Sequence, residues 1–107
     1  MMEFTKRAEA FEGKFAHDEA LRFKAIARRN RLLGLWAAQR LGKSGADADA
    51  YAGAVVIADF EEPGDDDVVS KVVNDLEIAG VPSDEGEVRR ALEDLMVRAI
   101  DEIKAGR

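Results

Sequence analysis

Three arginines within four consecutive positions are the residues whose chemistry is most suggestive. Arg28, Arg29 and Arg31 lie in segment 22–40, which carries six basic residues and no acidic one. Guanidinium groups bind phosphate in a bidentate manner, so these arginines are candidate ligands of a nucleotide or of a nucleic acid. The alternative is a solvated face that pairs with acidic helices of the same chain.

The charge balance of the chain favours a small ligand over a polyanion. Residues 44–107 contain six Lys and Arg against seventeen Asp and Glu, and the net charge of the whole chain is −6. This acidic part would repel the backbone of a nucleic acid, which argues against nucleic acid as a partner. A single nucleotide carries fewer charges and is repelled less, so a weakly bound nucleotide remains a candidate ligand. No permanent cofactor is predicted.

The triplet Gly42-Lys43-Ser44 resembles the end of a phosphate-binding loop. The first glycine of such a loop would fall at Ala37, which is not glycine, and the segment before the triplet has the periodicity of a helix instead of a strand. We therefore interpret the triplet as the C-terminal cap of a helix.

The sequence predicts no catalytic or metal centre. It has no cysteine and one histidine, His17, whose neighbours Asp18 and Glu19 provide no second imidazole or thiolate for a metal. The acidic run 61–67 lacks the alternation of a calcium-binding loop, and a solvated turn with acidic residues at a helix start explains it better. No nucleophile, base or acid is singled out by spacing, so an enzyme is not expected.

Four helices are expected to position these residues. Helical periodicity and punctuation by glycine, proline and serine predict helices over residues 18–42, 47–61, 65–80 and 83–106. The Val-Val pairs of the third segment are also typical of strands. Short connections favour antiparallel neighbours, so the predicted fold is all-α, a four-helix bundle over residues 18–107.

The first helix should carry most of the packing, and two details follow from its sequence. Its predicted buried stripe is the row Leu21, Ala25, Arg28, Leu32, Leu35 and Gln39, widened by Phe23, Ala27, Trp36 and Leu41. Gly34 in its middle costs about 1 kcal/mol relative to alanine, which predicts close approach of a neighbouring helix or of Trp36. For the last helix, Ser83 is the predicted N-cap.

Residues 1–17 stand apart from the bundle. They carry Phe4, Phe11 and Phe15 at helical spacing, interrupted by Gly13, and three basic residues, Lys6, Arg7 and Lys14. We predict a flexible N-terminal arm that becomes helical when it docks on a partner. The alternative is that Phe11 and Phe15 pack on the end of the bundle itself, and the sequence alone does not decide between the two interpretations. No export signal and no membrane span is expected, because charged residues interrupt every apolar run.

Residues 11–19, Phe23-Lys24 and residues 27–38 together carry a resemblance to a known family. Segments FEGKFAHDE and ARRNRLLGLWAA resemble the zeta subunit family, inhibitors of the F-type ATP synthase of alphaproteobacteria. The similarity is specific over residues 4–42 and extends with weaker motifs over nearly the whole chain.

The resemblance implies a mechanism. It implies that the arm enters a catalytic interface between the alpha and beta subunits of the ATP synthase head, folds as a helix there and stops rotation in the hydrolytic direction only. The residues implied in partner binding are Phe4, Lys6, Arg7, Phe11, Lys14, Phe15 and His17. It also implies a cytoplasmic protein held at the inner face of the plasma membrane through the synthase, and weak nucleotide binding in some members. A small nucleotide- or nucleic-acid-binding module is the alternative function.

Overall fold

The computed structural model describes residues 18–59 and 64–107, and within them it contains four α-helices and no strand. Helix α1 spans Glu19–Arg40, α2 spans Gly45–Ala58, α3 spans Asp66–Ile78 and α4 spans Glu85–Lys104. The predicted four-helix, all-α fold is confirmed, including the helix over the Val-Val pairs. The arm, Phe60 and the chain through Pro63 lie outside the described residues.

The core is built around α1, which contacts the other three helices. The larger apolar cluster joins all four helices and contains Leu33, Ala37, Val55, Val68, Val69, Val72, Leu76, Val88 and Leu92. A smaller cluster closes the end of the bundle where α1 begins, with Ala25 and Ile100 buried beneath Leu21, Met96 and Ile103. Val68, Val69 and Val72 of α3 are buried with Leu76 on one helical face, which is why this segment is a helix despite its strand-like composition.

The predicted stripe of α1 is right only in part. Ala25 is buried, and Leu21, Trp36 and Leu41 pack against the two apolar clusters, but the most deeply buried residues follow a different row. The residues that are buried are Ala25, Arg29, Asn30, Leu33, Gly34, Ala37 and Ala38. Gln39 is exposed, Leu32 and Leu35 are only half-buried, and Phe23 is 67% exposed. The reason is that small residues admit close neighbours and bury completely, so the true contact face is marked by Gly and Ala more than by Leu.

The close approach predicted at Gly34 is confirmed. A Cβ atom placed on Gly34 would lie 2.6 Å from the Cα atom of Ala52, so α1 and α2 meet backbone to backbone at this point. On the same helix α2, the hydroxyl of Tyr51 donates to a carboxylate oxygen of Asp75 on α3 at 2.7 Å. Burial and this partner raise the pKa of Tyr51 above its ordinary value.

The helix ends agree with the prediction in one case and differ in another. Gly42 has φ +76, and the amide of Lys43 donates to the carbonyl of Ala38 at 2.9 Å, which is the C-terminal cap predicted for this triplet. Helix α4, however, is capped by Asp84 instead of Ser83: an Asp84 side-chain oxygen accepts from the amide of Glu87 at 2.7 Å. The cap falls one residue later because a carboxylate is an equally good N-cap acceptor.

Candidate functional site

The start of α1 is the point where the arm joins the bundle. Asp18 has extended backbone angles, and its side chain accepts a hydrogen bond from the amide of Leu21 at 3.1 Å. This N-cap fixes where the helix begins. The predicted partner-binding residues Phe4, Lys6, Arg7, Phe11, Lys14, Phe15 and His17 all lie outside the described residues, so their roles stay predictions.

An exposed apolar surface lies directly beside this junction. Among the described residues, Glu19, Arg22, Phe23 and Ile26 line a shallow hollow of about 130 Å³ near the start of α1. Phe23 is one of three large hydrophobic side chains that are exposed among the described residues, with Ile57 and Ile78. The predicted stripe placed Phe23 among the buried residues of α1, whereas its side chain is exposed. The exposure of Phe23 could have been read from its position around the helix, because Phe23 lies outside the row of small residues that is buried.

Arg29 is buried, and only 5% of its surface is exposed. Its guanidinium donates to Asp65, with Nη2–Oδ1 at 2.8 Å and Nη1–Oδ2 at 3.4 Å. It also donates twice to the side-chain oxygen of Asn30, at 3.1 Å from Nε and 3.0 Å from Nη2. A buried guanidinium is tolerated only when its donors are satisfied, so Arg29 ties the start of α3 to the middle of α1.

Two further polar residues complete this buried cluster, and sequence reasoning had missed both. Asn30 is fully buried, and among the described residues its side-chain nitrogen makes no hydrogen bond of good geometry. Burial raises the pKa of the nearby Asp59 carboxyl above its ordinary value, and the positive charge of Arg29 opposes part of that effect. No local pattern could reveal the cluster, since Arg29 and Asp65 are 36 positions apart.

Arg28 and Arg31 pair with other helices than Arg29 does. Arg28 lies 3.5 Å from the carboxylate of Glu102 on α4 and also donates to the backbone carbonyl of Arg107. Arg31 forms an exposed ion pair with Asp49 on α2 at 3.3 Å. The structure therefore does not bring the three guanidinium groups together on one phosphate. Each is paired with an acidic residue of the bundle, as the alternative interpretation expected, and nucleotide binding stays a prediction.

Two of the three aspartates at the start of α3, Asp65 and Asp66, form ion pairs. Asp65 stands at the N-cap position, but its carboxylate binds Arg29 and makes no capping hydrogen bond. Asp66 pairs with Arg89 of α4 at 2.8 Å. Within residues 18–59 and 64–107, no group of three or more potential metal ligands comes together.

Comparison with known proteins decides the family. The family model described as ATPase inhibitor subunit zeta matches residues 1–102, which is nearly the entire chain. The chain belongs to this family. The resemblance seen in the arginine-rich segment is thereby confirmed, and a zeta-family chain has an ATP synthase as its partner.

A solved structure supports the same fold for this zeta-family chain. It is similar to a protein whose solution NMR structure is known, with 49% sequence identity and a TM-score of 0.73. The similarity covers 81% of this chain and 99% of that chain. No curated protein matches the chain significantly. In the part of the zeta-family chain that the structure describes, no helix is both long and apolar enough to cross a membrane.

Proposed function

We propose that this chain is a regulatory subunit that inhibits ATP hydrolysis by the F-type ATP synthase without catalysing a reaction itself. In this proposal residues 1–17 insert at a catalytic interface between an alpha and a beta subunit and fold as a helix there. The observation that carries the proposal is the match to the inhibitor family, which spans both the arm and the bundle. Its location would be the cytoplasmic side of the plasma membrane, peripheral through the synthase.

The arm has the composition that such insertion requires. Phe4, Phe11 and Phe15 offer burial of about 2–3 kcal/mol each, while fixing the backbone of some fifteen residues costs about 1–2 kcal/mol for each residue, so burial of the three rings does not offset the ordering by itself. Net affinity therefore depends on charge contacts as well, for which Lys6, Arg7 and Lys14 are the proposed donors to acidic groups of the synthase.

The bundle supports the proposal through its position and rigidity. Helix α1 begins at Glu19, immediately after the arm, and its N-cap at Asp18 separates the two parts. The bundle is held by the Gly34–Ala52 contact and by the ion pair that the buried Arg29 forms with Asp65, so it can act as a stop that limits how deeply the arm enters.

A comparison of hydrolysis and synthesis tests this function. Purified chain added to the cognate ATP synthase is expected to inhibit ATP hydrolysis and to leave ATP synthesis unchanged. Phe11→Ala is expected to weaken the apparent affinity about thirtyfold, which corresponds to about 2 kcal/mol of lost burial. Ile78→Ala is the matched control, because it removes an exposed apolar side chain from the bundle. Equal potency of the Phe11→Ala variant would contradict insertion of the arm at this residue.

A further inference from the structure

We propose that Asp65 is a two-position switch at the start of α3. In the structure its carboxylate binds Arg29 of α1, and in a second, less populated arrangement the same carboxylate caps the first turn of α3. The switch works because two sets of donors, the guanidinium of Arg29 and the free amides of the helix start, compete for one carboxylate. It lies within the bundle and does not depend on the proposed function.

An aspartate immediately precedes three of the four helices, but only two of these aspartates act as caps. Asp18 has φ −125 and ψ 100, and its side chain accepts from the amide of Leu21. Asp84 has φ −129 and ψ 166, and its side chain accepts from the amide of Glu87. Asp65 has φ −93 and ψ −8, and its side chain accepts no capping hydrogen bond from the described residues. Helix α3 therefore begins with a capping residue that does not cap.

The ion pair with Arg29 explains the missing cap. Both carboxylate oxygens of Asp65 face the guanidinium, with Nη2–Oδ1 at 2.8 Å and Nη1–Oδ2 at 3.4 Å. Since only 5% of Arg29 is exposed, leaving its charge without this partner is costly, and the ion pair is the more populated arrangement. The side chain of Asp65 is itself 44% exposed, so it has room to turn away.

The backbone of Asp65 is already placed for the second arrangement. Its carbonyl accepts from the amide of Val69 at 3.0 Å, which is the first hydrogen bond of a helix that starts at an N-cap. By the spacing of the other two caps, the amide that its side chain would accept from is that of Val68. Capping requires Asp65 to take the extended backbone of Asp18 and Asp84, which changes the direction in which the chain enters α3.

Asp59, the C-cap residue of α2, biases the switch. Among the described residues, the charged groups that act on it are Arg29 of α1 and Asp65 and Asp67 at the start of α3. When the carboxyl of Asp59 is ionised, it attracts Arg29 and repels Asp65, and both effects favour the capping arrangement. A neutral side chain at position 59 therefore keeps Asp65 on Arg29.

Two substitutions of Asp65 separate the ion pair from the cap. Asp65→Asn keeps a good capping residue without a charge for Arg29, whereas Asp65→Glu keeps the charge but is a poor cap. Amide hydrogen exchange of the full chain, followed by nuclear magnetic resonance, gives the protection of Val68 relative to Glu87, whose own cap is untouched. We expect this ratio to be about fivefold higher in Asp65→Asn than in Asp65→Glu, which corresponds to one cap of about 1 kcal/mol. The unmodified chain should lie between them, closer to Asp65→Glu.

Substitutions at the partners of Asp65 give an independent measure of the same ratio. Arg29→Lys loses the forked guanidinium and should raise the ratio above that of the unmodified chain. Asp59→Asn should lower it, and Asp49→Asn, at an exposed carboxylate on the same helix, is the matched control and should leave it unchanged. Equal ratios in folded Asp65→Asn and Asp65→Glu would overturn the proposal, and so would an unchanged ratio in Arg29→Lys.

Discussion

Gly34 and Ala52 bring two helices into backbone contact, because a Cβ on Gly34 would lie 2.6 Å from the Ala52 Cα atom. Neither backbone can give way cheaply at such a distance. The first prediction follows: Gly34→Ala lowers the free energy of unfolding by about 1–3 kcal/mol, the usual cost of overpacking.

The same pair of helices offers the control. Among the described residues, no atom of another helix lies within 4 Å of the position that a Cβ on Gly53 of α2 would take, so the added methyl group meets open space. Gly53→Ala should therefore raise the free energy of unfolding by up to about 1 kcal/mol through helix propensity. Urea unfolding followed by circular dichroism measures both variants. Equal effects of the two substitutions would contradict the close contact at Gly34.

Arg29 is predicted to be structural. Arg29→Ala leaves the buried side-chain oxygen of Asn30 without its two donors, which should cost about 1–3 kcal/mol of stability. Arg31→Ala removes only an exposed ion pair with Asp49 and should cost less than about 1 kcal/mol. Thermal unfolding of the two variants distinguishes them, and a similar small loss for both would argue against the buried cluster.

Asp59 is predicted to make stability depend on pH. Its pKa is raised in the folded chain, so its ionised form disfavours folding, and stability falls as pH rises from the ordinary carboxyl value through the raised one. Asp59→Asn should therefore have a higher Tm than the unmodified chain at pH 7, and the difference should disappear below about pH 3.9. Asp94→Asn, which removes a charge from an exposed position, is the control and should change the Tm little. A Tm difference for Asp59→Asn that persists at low pH would contradict the assigned cause.

The N-cap of α4 predicts different effects on stability for substitutions at the adjacent residues Ser83 and Asp84. Asp84→Ala removes the acceptor for the Glu87 amide and should cost about 1 kcal/mol. Ser83→Ala should cost nothing or stabilise slightly, because the buried hydroxyl of Ser83 has no hydrogen-bond partner among the described residues. Chemical denaturation checks both, and a larger loss for Ser83→Ala would restore Ser83 as the cap.

Periodicity and punctuation were sufficient to predict the four helices, because Gly42, Gly80 and the proline turns interrupt otherwise regular patterns. They could not predict which face of α1 is buried. Apart from Ala25 and Leu33, that face contains Gly34, Ala37 and Ala38 together with Arg29 and Asn30, and none of these five has the large apolar side chain that a hydrophobic pattern detects.

The candidate site was predictable only in part for a similar reason. The arginine-rich segment that supported the family resemblance does not form one anion site. Each of its guanidinium groups is held by a different acidic residue that is distant in the sequence. Glu102, Asp65 and Asp49 lie in different parts of the chain, and only the tertiary fold brings them to Arg28, Arg29 and Arg31. The exposure of Phe23 likewise depends on how α1 is rotated in the bundle.

Deletion of residues 1–17 tests the central claim most directly. ATP hydrolysis by the cognate synthase is measured with the full chain and with the chain that begins at Asp18, after circular dichroism and thermal unfolding have shown that the shortened bundle is folded. The account predicts that the shortened chain no longer inhibits at concentrations where the full chain does. Undiminished inhibition by the folded, shortened chain would contradict it.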